Sequence, residues 1–368
     1  MQTPPGPLLL ATAAATLLGL ASPALAANLP PKFTETAVAS TLSEPTAMTF
    51  TPDGRLLICE QRGDLRIAKN GMLLPFPVVS VEVQRSGERG LLGVAVDPAF
   101  ASNGFFYLYY TTLDAPVHNR VSRFVMEGDR AVADSETVVL ELNNLSNAAN
   151  HNGGAIHFGP DGKLYIAVGD NANGAHAQSF NNLFGKILRM NADGTTPDDN
   201  PFLNRTNGRN QLIWALGLRN PYTFSFQRGT GRMFINDVGE SKREEVNKGM
   251  RGANYGWPMF EGPGGVAGFR DPYYFYGQRG AQPNGCAITG GAFYAEGSAA
   301  PYPRPFNKAY FFADFCNGCI YAVRARHPVA PVLFATGIDQ PVDLLENDGS
   351  IYYLARRTGA VMRIDYQP

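Results

Sequence analysis

Apolar residues along this chain alternate with polar or small residues in short runs, and turn-forming residues separate the runs. The clearest example is the segment 155–170, in which Gly-Pro-Asp-Gly separates two such runs. In the second run Leu164, Ile166 and Val168 alternate with smaller or amphipathic neighbours. Period-two alternation on both sides of a Pro-Asp-Gly turn predicts a β-hairpin.

The same hairpin pattern recurs along the chain. Five further copies, one of them degenerate, lie at 50–58, 94–109, 224–235, 290–314 and 344–354. Their spacing of roughly 45 to 70 residues suits propeller blades once insertions are allowed. Because a small antiparallel sheet cannot bury both faces alone, blades stacked in a ring would share a core. The pattern therefore predicts an all-β fold, a six-bladed β-propeller. A β-sandwich or two β-domains is the alternative, although sandwiches seldom repeat one turn signature six times.

The chain gives no sign of a linker between domains. Helical periodicity is poor throughout, and 40 glycines and 27 prolines in 368 residues interrupt almost every segment. We therefore expect one propeller domain over residues 28–368.

The N-terminus has the plan of a secretory signal peptide. An apolar run from Leu8 to Ala21 precedes the small-residue site Ala24-Leu25-Ala26, although no Lys or Arg comes before the run. The pattern predicts a signal peptide over residues 1–27, with cleavage near Ala26 or Ala27. A membrane anchor is the alternative, but the run is short for a span. The prediction is a periplasmic or secreted protein without a transmembrane span in its mature form.

The charge distribution limits the partners. The chain has 31 basic and 32 acidic residues spread along its length, with a formal net charge of −1. Since no basic stripe or acidic tail is present, nucleic acid and anionic membrane surfaces are not expected partners.

Four cysteines, Cys59, Cys286, Cys316 and Cys319, are consistent with export and structural disulfides. The Cys-Asn-Gly-Cys sequence at 316–319 is the alternative signal for redox or metal chemistry. A redox motif would open a helix, however, and zinc needs more ligands than two thiols. The preferred bridge joins Cys286 to Cys316, which fall in the region of the fifth and sixth repeats.

Polar residues with chemical potential lie where the chain enters or leaves the predicted hairpins. His151 stands in Asn-His-Asn-Gly-Gly directly before one hairpin, and Arg219 and Asn220 stand directly before another. Loops held by a rigid scaffold often carry function, and histidine moves protons near neutral pH. Loops at one end of a propeller converge on its channel mouth. We therefore expect His151, Arg219 and Asn220 to meet there with Glu88 and Gly239.

Several of these residues also have ordinary structural interpretations. Arg219 is the right type of residue to cap carbonyl groups of a neighbouring blade, and Glu244 and Glu245 have the character of a solvated loop face. The Tyr255-Gly256-Trp257 sequence is typical of packing between blades. The remaining histidines are expected to be packed, exposed or without distinctive context: His118, His157, His176 and His327.

An ordered set of motifs resembles the glucose/sorbosone dehydrogenase family between roughly Leu42 and Asp365. The motifs are Gly90-Leu91-Leu92-Gly93, His151 with Gly159-Pro160-Asp161-Gly162, Gly185-Lys186-Ile187-Leu188-Arg189, Leu218-Arg219-Asn220-Pro221 and Asn254-Tyr255-Gly256-Trp257-Pro258. Members of that family are soluble six-bladed propellers that use pyrroloquinoline quinone (PQQ) and calcium to oxidise aldoses.

The resemblance implies a role for each candidate residue. His151 matches the general base that takes the proton from the anomeric hydroxyl, while hydride passes to the quinone. Arg219 and Asn220 match residues that hold the quinone oxygens, and Glu88 falls at another cofactor-binding position. The backbone carbonyls of Gly239 and Glu240 match the calcium ligands. A sugar substrate and an external electron acceptor follow from the same resemblance.

The chain also departs from the family pattern. Glu88 stands where the family has Gln, and Cys316 stands where it has a Lys that grips a cofactor carboxylate. Two family arginines fall near Asp339 and Pro341, so PQQ, a tricarboxylate, lacks expected cations here. Arg356 and Arg357, after the last hairpin, are candidate substitutes.

The Cys316 pattern resembles a divergent branch of the family that includes the propeller of Hedgehog-interacting proteins. A carbohydrate- or protein-binding propeller without cofactor is therefore the second hypothesis, and a hydrolase or lactonase propeller is the third.

Overall fold

The alternating runs form antiparallel strands, and each of the six turns identified in the sequence joins the first two strands of one sheet. In the clearest hairpin Ile156 pairs with Ile166 and Phe158 pairs with Leu164. A computed structural model describes residues 1, 26–278, 285–294, 301–326 and 330–368. Most of the predicted signal peptide, at residues 2–25, and His327 lie outside the described residues.

The described strands form six sheets of four or five strands each, in the arrangement of a six-bladed β-propeller. The predicted fold class is confirmed. The first strand, β1 (Phe33–Ala39), belongs to blade 6 and is described with it below.

The strands of the first three blades follow the chain in order. Blade 1 comprises β2 (Pro45–Phe50), β3 (Leu56–Glu60), β4 (Asp64–Lys69), β5 (Met72–Leu73) and β6 (Val79–Ser80). Blade 2 comprises β7 (Leu91–Val96), helix α1 (Phe100–Asn103), β8 (Phe105–Thr111), β9 (His118–Glu127), β10 (Arg130–Ala131) and β11 (Thr137–Asn144). Blade 3 comprises β12 (Ile156–Phe158), β13 (Leu164–Val168), helix α2 (Ala175–Gln178), β14 (Lys186–Met190), a 3₁₀ helix (Gly208–Leu212) and β15 (Ile213–Leu216).

The other three blades complete the ring. Blade 4 comprises β16 (Pro221–Phe226), β17 (Met233–Asp237), β18 (Arg243–Gly249) and β19 (Tyr274–Gly277). Blade 5 comprises β20 (Ile288–Phe293), β21 (Ala309–Asp314), β22 (Cys319–Arg324) and β23 (Val332–Thr336). Blade 6 comprises β24 (Pro341–Asn347), β25 (Ser350–Ala355) and β26 (Ala360–Tyr366), with β1 on its outer edge.

The hydrophobic core lies between the blades, as the stacking argument requires. One cluster joins Tyr109 and Leu140 of blade 2 to Ile166 and Leu188 of blade 3. The second strand of each blade is consequently buried on both faces, so that β3, β13 and β25 have no exposed residue. A blade removed from the ring would expose both of these faces, which makes the six blades one cooperative unit.

The ring closes where the N-terminal strand β1 pairs with the C-terminal strand β26. Phe33 of β1 is buried, and its side chain packs against the neighbouring blade 5. Its ring centroid lies 4.8 Å from that of Tyr302 and 5.1 Å from that of Phe334, both with edge-to-face geometry. Blade 6 is therefore held to blade 5 by a side chain from the opposite end of the chain.

The topology separates the two ends of the propeller. The turns between first and second strands lie at one end. The loops between second and third strands, together with the connections from blade to blade, lie at the other. We call this second end the mouth. His151, Arg219 and Gly239 all belong to mouth loops, since they fall between β11 and β12, between β15 and β16, and between β17 and β18.

The preferred disulfide is present between Cys286 and Cys316, with the two Cα atoms 5.9 Å apart. Both cysteines belong to blade 5, rather than to two repeats, since Cys286 precedes β20 and Cys316 follows β21. Cys59 and Cys319 are free and buried. None of the helices in the described part of the chain has the length and apolar character needed to cross a membrane.

Replacing Phe33 with alanine should destabilise the fold by about 3 kcal/mol, the usual cost of removing a buried phenylalanine ring. Chemical denaturation followed by circular dichroism would measure the change. Phe275→Ala is the matched control, because Phe275 on β19 is 38% exposed. Equal losses in the two variants would contradict the closing role of Phe33.

Candidate functional site

His151 lies in the mouth loop between β11 and β12, in a constrained backbone conformation. Its φ angle is +57°, in the left-handed region that side chains other than glycine rarely adopt. Its backbone N–H donates to Oε2 of Glu88 at 2.8 Å. Gly169 permits close approach of the next loop, since a Cβ atom there would lie 2.2 Å from the His151 carbonyl oxygen.

The imidazole is oriented by one buried carboxylate. His151 Nδ1 lies 2.7 Å from Oδ1 of Asp170. The other oxygen of Asp170 accepts the indole N–H of Trp257 at 2.8 Å. The backbone N–H of Asp170 donates to the Arg219 carbonyl at 2.8 Å. When the Asp170 carboxyl is ionised it can only accept this hydrogen bond, so a neutral imidazole in this contact carries its proton on Nδ1. Nε2, which meets no hydrogen-bond partner among the described residues, then presents a lone pair.

Glu88 joins the loop of His151 to Asn220. Its Oε2 accepts the N–H groups of His151 and Asn152, at 2.8 and 3.4 Å, and the side-chain amide of Asn220 at 3.4 Å. No described residue donates to Oε1. The Asn220 amide oxygen accepts the Gly153 N–H at 3.1 Å. The predicted meeting of His151, Glu88 and Asn220 is thus present as direct hydrogen bonds.

Arg219 lies beside this group with part of its hydrogen-bonding capacity unused. Nη1 donates to the Val238 carbonyl at 3.0 Å, and the guanidinium lies over the Trp257 ring at 5.6 Å. Nε is buried and meets no hydrogen-bond partner among the residues that the structure describes. The carbonyl-cap interpretation therefore accounts for one nitrogen of Arg219 and leaves a buried donor that needs an acceptor.

Asp237 holds the loop of Arg219 through hydrogen bonds to its backbone. Its carboxylate accepts the backbone N–H of Arg219 at 3.0 Å and that of Asn220 at 2.7 Å. Burial raises the pKa of Asp237 well above its usual value, and the neighbouring Glu245 carboxylate adds to that rise. The two acids are directly opposite each other on β17 and β18.

The expectation that Glu244 and Glu245 form a solvated face is wrong. Both lie on β18 and are buried between blades. The Glu245 carboxylate accepts the Gly262 N–H at 2.6 Å and the Asn247 side-chain amide at 2.9 Å. Burial raises the pKa of Glu244 to about 7.

Gly239 and Glu240 form the loop between β17 and β18, next to Val238 and so next to Arg219. Neither of their carbonyl groups accepts a hydrogen bond from a described residue. A Cβ atom on Gly239 would lie 1.8 Å from the Arg243 carbonyl oxygen, so only glycine is compatible with this loop. The described residues include no group of three His, Cys, Asp or Glu side chains suited to a metal ion. Backbone carbonyls are the oxygen ligands that this loop offers to a cation.

The cationic side chains considered from the sequence have different positions. Arg356 lies at the mouth, where Nη1 donates to the Glu44 carbonyl at 3.0 Å and Nη2 contacts the Gln61 side chain. The Gln61 amide in turn donates to the carbonyls of Gly87 and Arg89, on either side of Glu88. Arg357 is 73% exposed and forms an ion pair with Asp339. Arg356 is therefore connected to the site, whereas Arg357 is paired with the half-buried Asp339.

Three residues at the centre of this network received no site role from the sequence: Asp170, Asp237 and Trp257. Asp170 follows the buried strand β13 by one residue and Asp237 ends the buried strand β17, and these positions at strand ends were the available signal. Trp257 was interpreted as packing, yet its indole bonds Asp170 and covers Arg219. His157 packs its ring edge-to-face on Phe224, while His118 lies 2.5 Å from Glu141, away from this network.

A buried lysine supports the loop that carries Asp170. Lys186 Nζ donates to the carbonyls of His176, Ala177 and Phe184 at 2.8, 3.0 and 2.6 Å. His176 Nδ1 in turn lies 2.9 Å from the Asp170 carbonyl oxygen. Burial lowers the pKa of Lys186 to about 7, and the charge of Asp170 opposes that shift.

Comparison with known proteins identifies the family. The family model for glucose/sorbosone dehydrogenases matches residues 42–296, so the chain belongs to this family. It is 34% identical over 236 residues to the aldose sugar dehydrogenase YliI of Escherichia coli, covering 63% of each chain. It is also 29% identical over 214 residues to the Hedgehog-interacting protein of Mus musculus, covering 50% of this chain and 30% of that protein. Each match spans less than two thirds of the relative's own length.

A solved structure is similar over almost the whole chain. The PQQ-bound form of an aldose sugar dehydrogenase from Streptomyces coelicolor superimposes with a TM-score of 0.75 at 26% sequence identity. The match covers 92% of this chain and all of that one.

Replacing Lys186 with methionine should change the pH dependence of stability. With a folded-state pKa near 7 and an unfolded-state value of 10.5, the unfolded chain binds more protons between these pH values. Lys186 therefore makes stability rise with pH from about 7 upward. The unfolding free energy of wild type minus that of Lys186→Met, measured by denaturant titration at pH 7 to 9.5, should become more positive as pH rises. A constant difference would contradict the lowered pKa.

Proposed function

We propose that this protein is an exported quinoprotein that oxidises the anomeric hydroxyl of aldose sugars, or related aldehydes, with PQQ and calcium. The observation that carries the proposal is the His151–Asp170 pair. It leaves Nε2 of a nearly buried imidazole as an acceptor at the mouth. Family membership and the PQQ-bound relative support the same conclusion.

His151 has the geometry of a general base in this proposal. Nε2 would accept the proton of the anomeric hydroxyl, and the ionised Asp170 would stabilise the resulting imidazolium through Nδ1. Trp257 and the Asp170 backbone hydrogen bond hold the carboxylate in place, so the base does not reorient during proton transfer. PQQ, when bound, would supply the hydride acceptor.

The residues around His151 fit the cofactor in part. No described residue accepts from the buried Nε of Arg219, and an anionic or carbonyl oxygen of the cofactor would satisfy it. Asn220 is occupied by Glu88 and Gly153, so its contribution would be to fix these groups beside the cofactor. The free carbonyls of Gly239 and Glu240 would ligate calcium.

The site has fewer positive charges than the family pattern provides for binding an anionic cofactor. Arg219 and Arg356 supply positive charge at the mouth, with Arg356 in an ion pair with Glu44, while Glu88 adds a carboxylate beside Asn220. Because PQQ carries three carboxylates, desolvating it beside Glu88 costs free energy that a neutral amide would not. Calcium would offset part of this cost. We expect weaker cofactor binding here than in family members that have more cations.

A second function has its own support. Cys316, which stands where the family has Lys, is a neutral residue held in a disulfide, and Arg357 is paired with Asp339, so neither position supplies a missing cation. Similarity to a Hedgehog-interacting protein is compatible with a binding propeller that takes a carbohydrate or a protein without cofactor. Failure of PQQ to bind in the presence of calcium would favour this second function.

Export and an external electron acceptor complete the proposal. The apolar N-terminal run and the Cys286–Cys316 disulfide both favour an oxidising compartment, the periplasm or the medium. We propose that residues 1–27 form the signal peptide and that residues 28–368 remain in the mature protein.

His151→Ala should reduce aldose-dependent dye reduction by about 100-fold or more, since general-base catalysis typically contributes that much. PQQ affinity should change little, because the imidazole acts on the sugar hydroxyl. His118→Ala is the matched control, as His118 also pairs with a carboxylate, Glu141, but shares no hydrogen bond with His151, Asp170 or Arg219 among the described residues. Full activity in the His151 variant would exclude the proposed base.

Arg219→Ala should lower both the rate of aldose-dependent dye reduction and the retention of PQQ.

Glu88→Gln should tighten PQQ binding by about fivefold or more, since it removes a negative charge beside an anionic ligand. The amide oxygen of Gln can still accept the three N–H groups that Oε2 accepts now. Titration of the purified protein with PQQ at fixed calcium, followed by quinone absorbance, measures the affinity. Unchanged or weaker binding would argue against a cofactor carboxylate or quinone oxygen near Glu88.

A further inference from the structure

One carboxylate oxygen organises the whole loop between β17 and β18. Oε1 of Glu261 accepts the backbone N–H groups of Glu240, Ser241, Lys242 and Arg243, at 2.8, 2.8, 2.7 and 3.1 Å. Four successive donors on one acceptor fix the orientation of the peptide groups between residues 239 and 243. The side chain responsible comes from the segment after Trp257, about 20 residues further along the chain.

The same bonds determine where the carbonyl groups point. In a trans peptide the C=O and N–H bonds are antiparallel. Because the N–H of Glu240 points to Glu261, the Gly239 carbonyl points away from it. The Ser241 N–H orients the Glu240 carbonyl in the same way. The preceding peptide is fixed by other partners, since the Gly239 N–H donates to Glu244 at 3.4 Å and the Val238 carbonyl accepts from Arg219.

The segment that carries Glu261 is itself held at both sides. Trp257 donates to Asp170 on one side, and the Gly262 N–H donates to the buried Glu245 at 2.6 Å on the other. Glu261 is therefore not a mobile surface side chain that meets the loop by chance. The segment from Trp257 to Gly262 therefore fixes both Asp170, the partner of His151, and the loop that contains the carbonyls of Gly239 and Glu240.

We propose that Glu261 is a positioning residue for the calcium site, an inference that rests on the proposed function. It turns the carbonyls of Gly239 and Glu240 to the face of the loop opposite its own carboxylate and keeps the loop N–H groups away from a cation. The orientation exists before calcium arrives, so binding does not have to order the loop. Hydrogen bonding of the N–H groups also strengthens the carbonyl groups of the same peptides as ligands.

The test compares three variants in calcium titrations at saturating PQQ, followed by quinone absorbance and by calorimetry. Glu261→Ala removes the acceptor and should weaken calcium binding by about 10- to 100-fold, as loss of a group that orients metal ligands does. Glu261→Gln keeps an oxygen acceptor without the charge and should weaken binding by about fivefold. Asp271→Asn is the matched control, because Asp271 caps Gly264 and Gly265 in the same segment. Its calcium affinity should equal that of wild type.

The outcomes separate this inference from the function on which it rests. If wild type shows no calcium-dependent PQQ binding, the proposed function fails. If wild type binds calcium and both Glu261 variants bind it equally well, the proposed function stands and the positioning role is wrong. Circular dichroism reports whether Glu261→Ala folds. If it does not, the Gln variant decides, since an affinity equal to that of the Asp271 control would overturn the inference.

Discussion

The hydrogen bond between His151 and Asp170 is the interaction on which the site depends, and it depends in turn on the closed ring. His151 lies in the connection into blade 3, and Asp170 lies in the loop after β13. Trp257 from blade 4 and the Arg219 carbonyl from the connection into blade 4 then fix Asp170. No single blade contains these groups together. The propeller core, buried between blades, is therefore what gives the imidazole a defined proton position.

The fold was largely readable from the sequence, because its signals are local. Each blade begins with a hairpin whose turn and alternation lie within one short stretch, such as residues 155–170. The site was readable only in outline, because it is assembled across blades. Glu245 looked solvated from its charged neighbours, yet the packing of β18 buries it opposite Asp237. Trp257 and Glu261 act on residues far away in sequence, and no local pattern marks such pairs.

The mouth combines a few cations with three carboxylates that are held by backbone N–H groups. Glu88, Asp237 and Glu261 each accept two or more of them. These bonds orient the loops, while Arg219 Nε and the carbonyls of Gly239 and Glu240 meet no hydrogen-bond partner among the described residues. An anionic cofactor joined to the protein through a divalent cation fits this pattern better than an anion bound by arginines alone.

The most direct test of this account is an experimental structure of the protein determined with PQQ and calcium. The account predicts calcium within about 2.3–2.6 Å of the Gly239 and Glu240 carbonyl oxygens, the usual range for oxygen ligands. It also predicts a cofactor oxygen within hydrogen-bond distance of Arg219 Nε and an unchanged His151–Asp170 bond. Calcium bound elsewhere, or an ordered mouth without PQQ at saturating concentration, would contradict it.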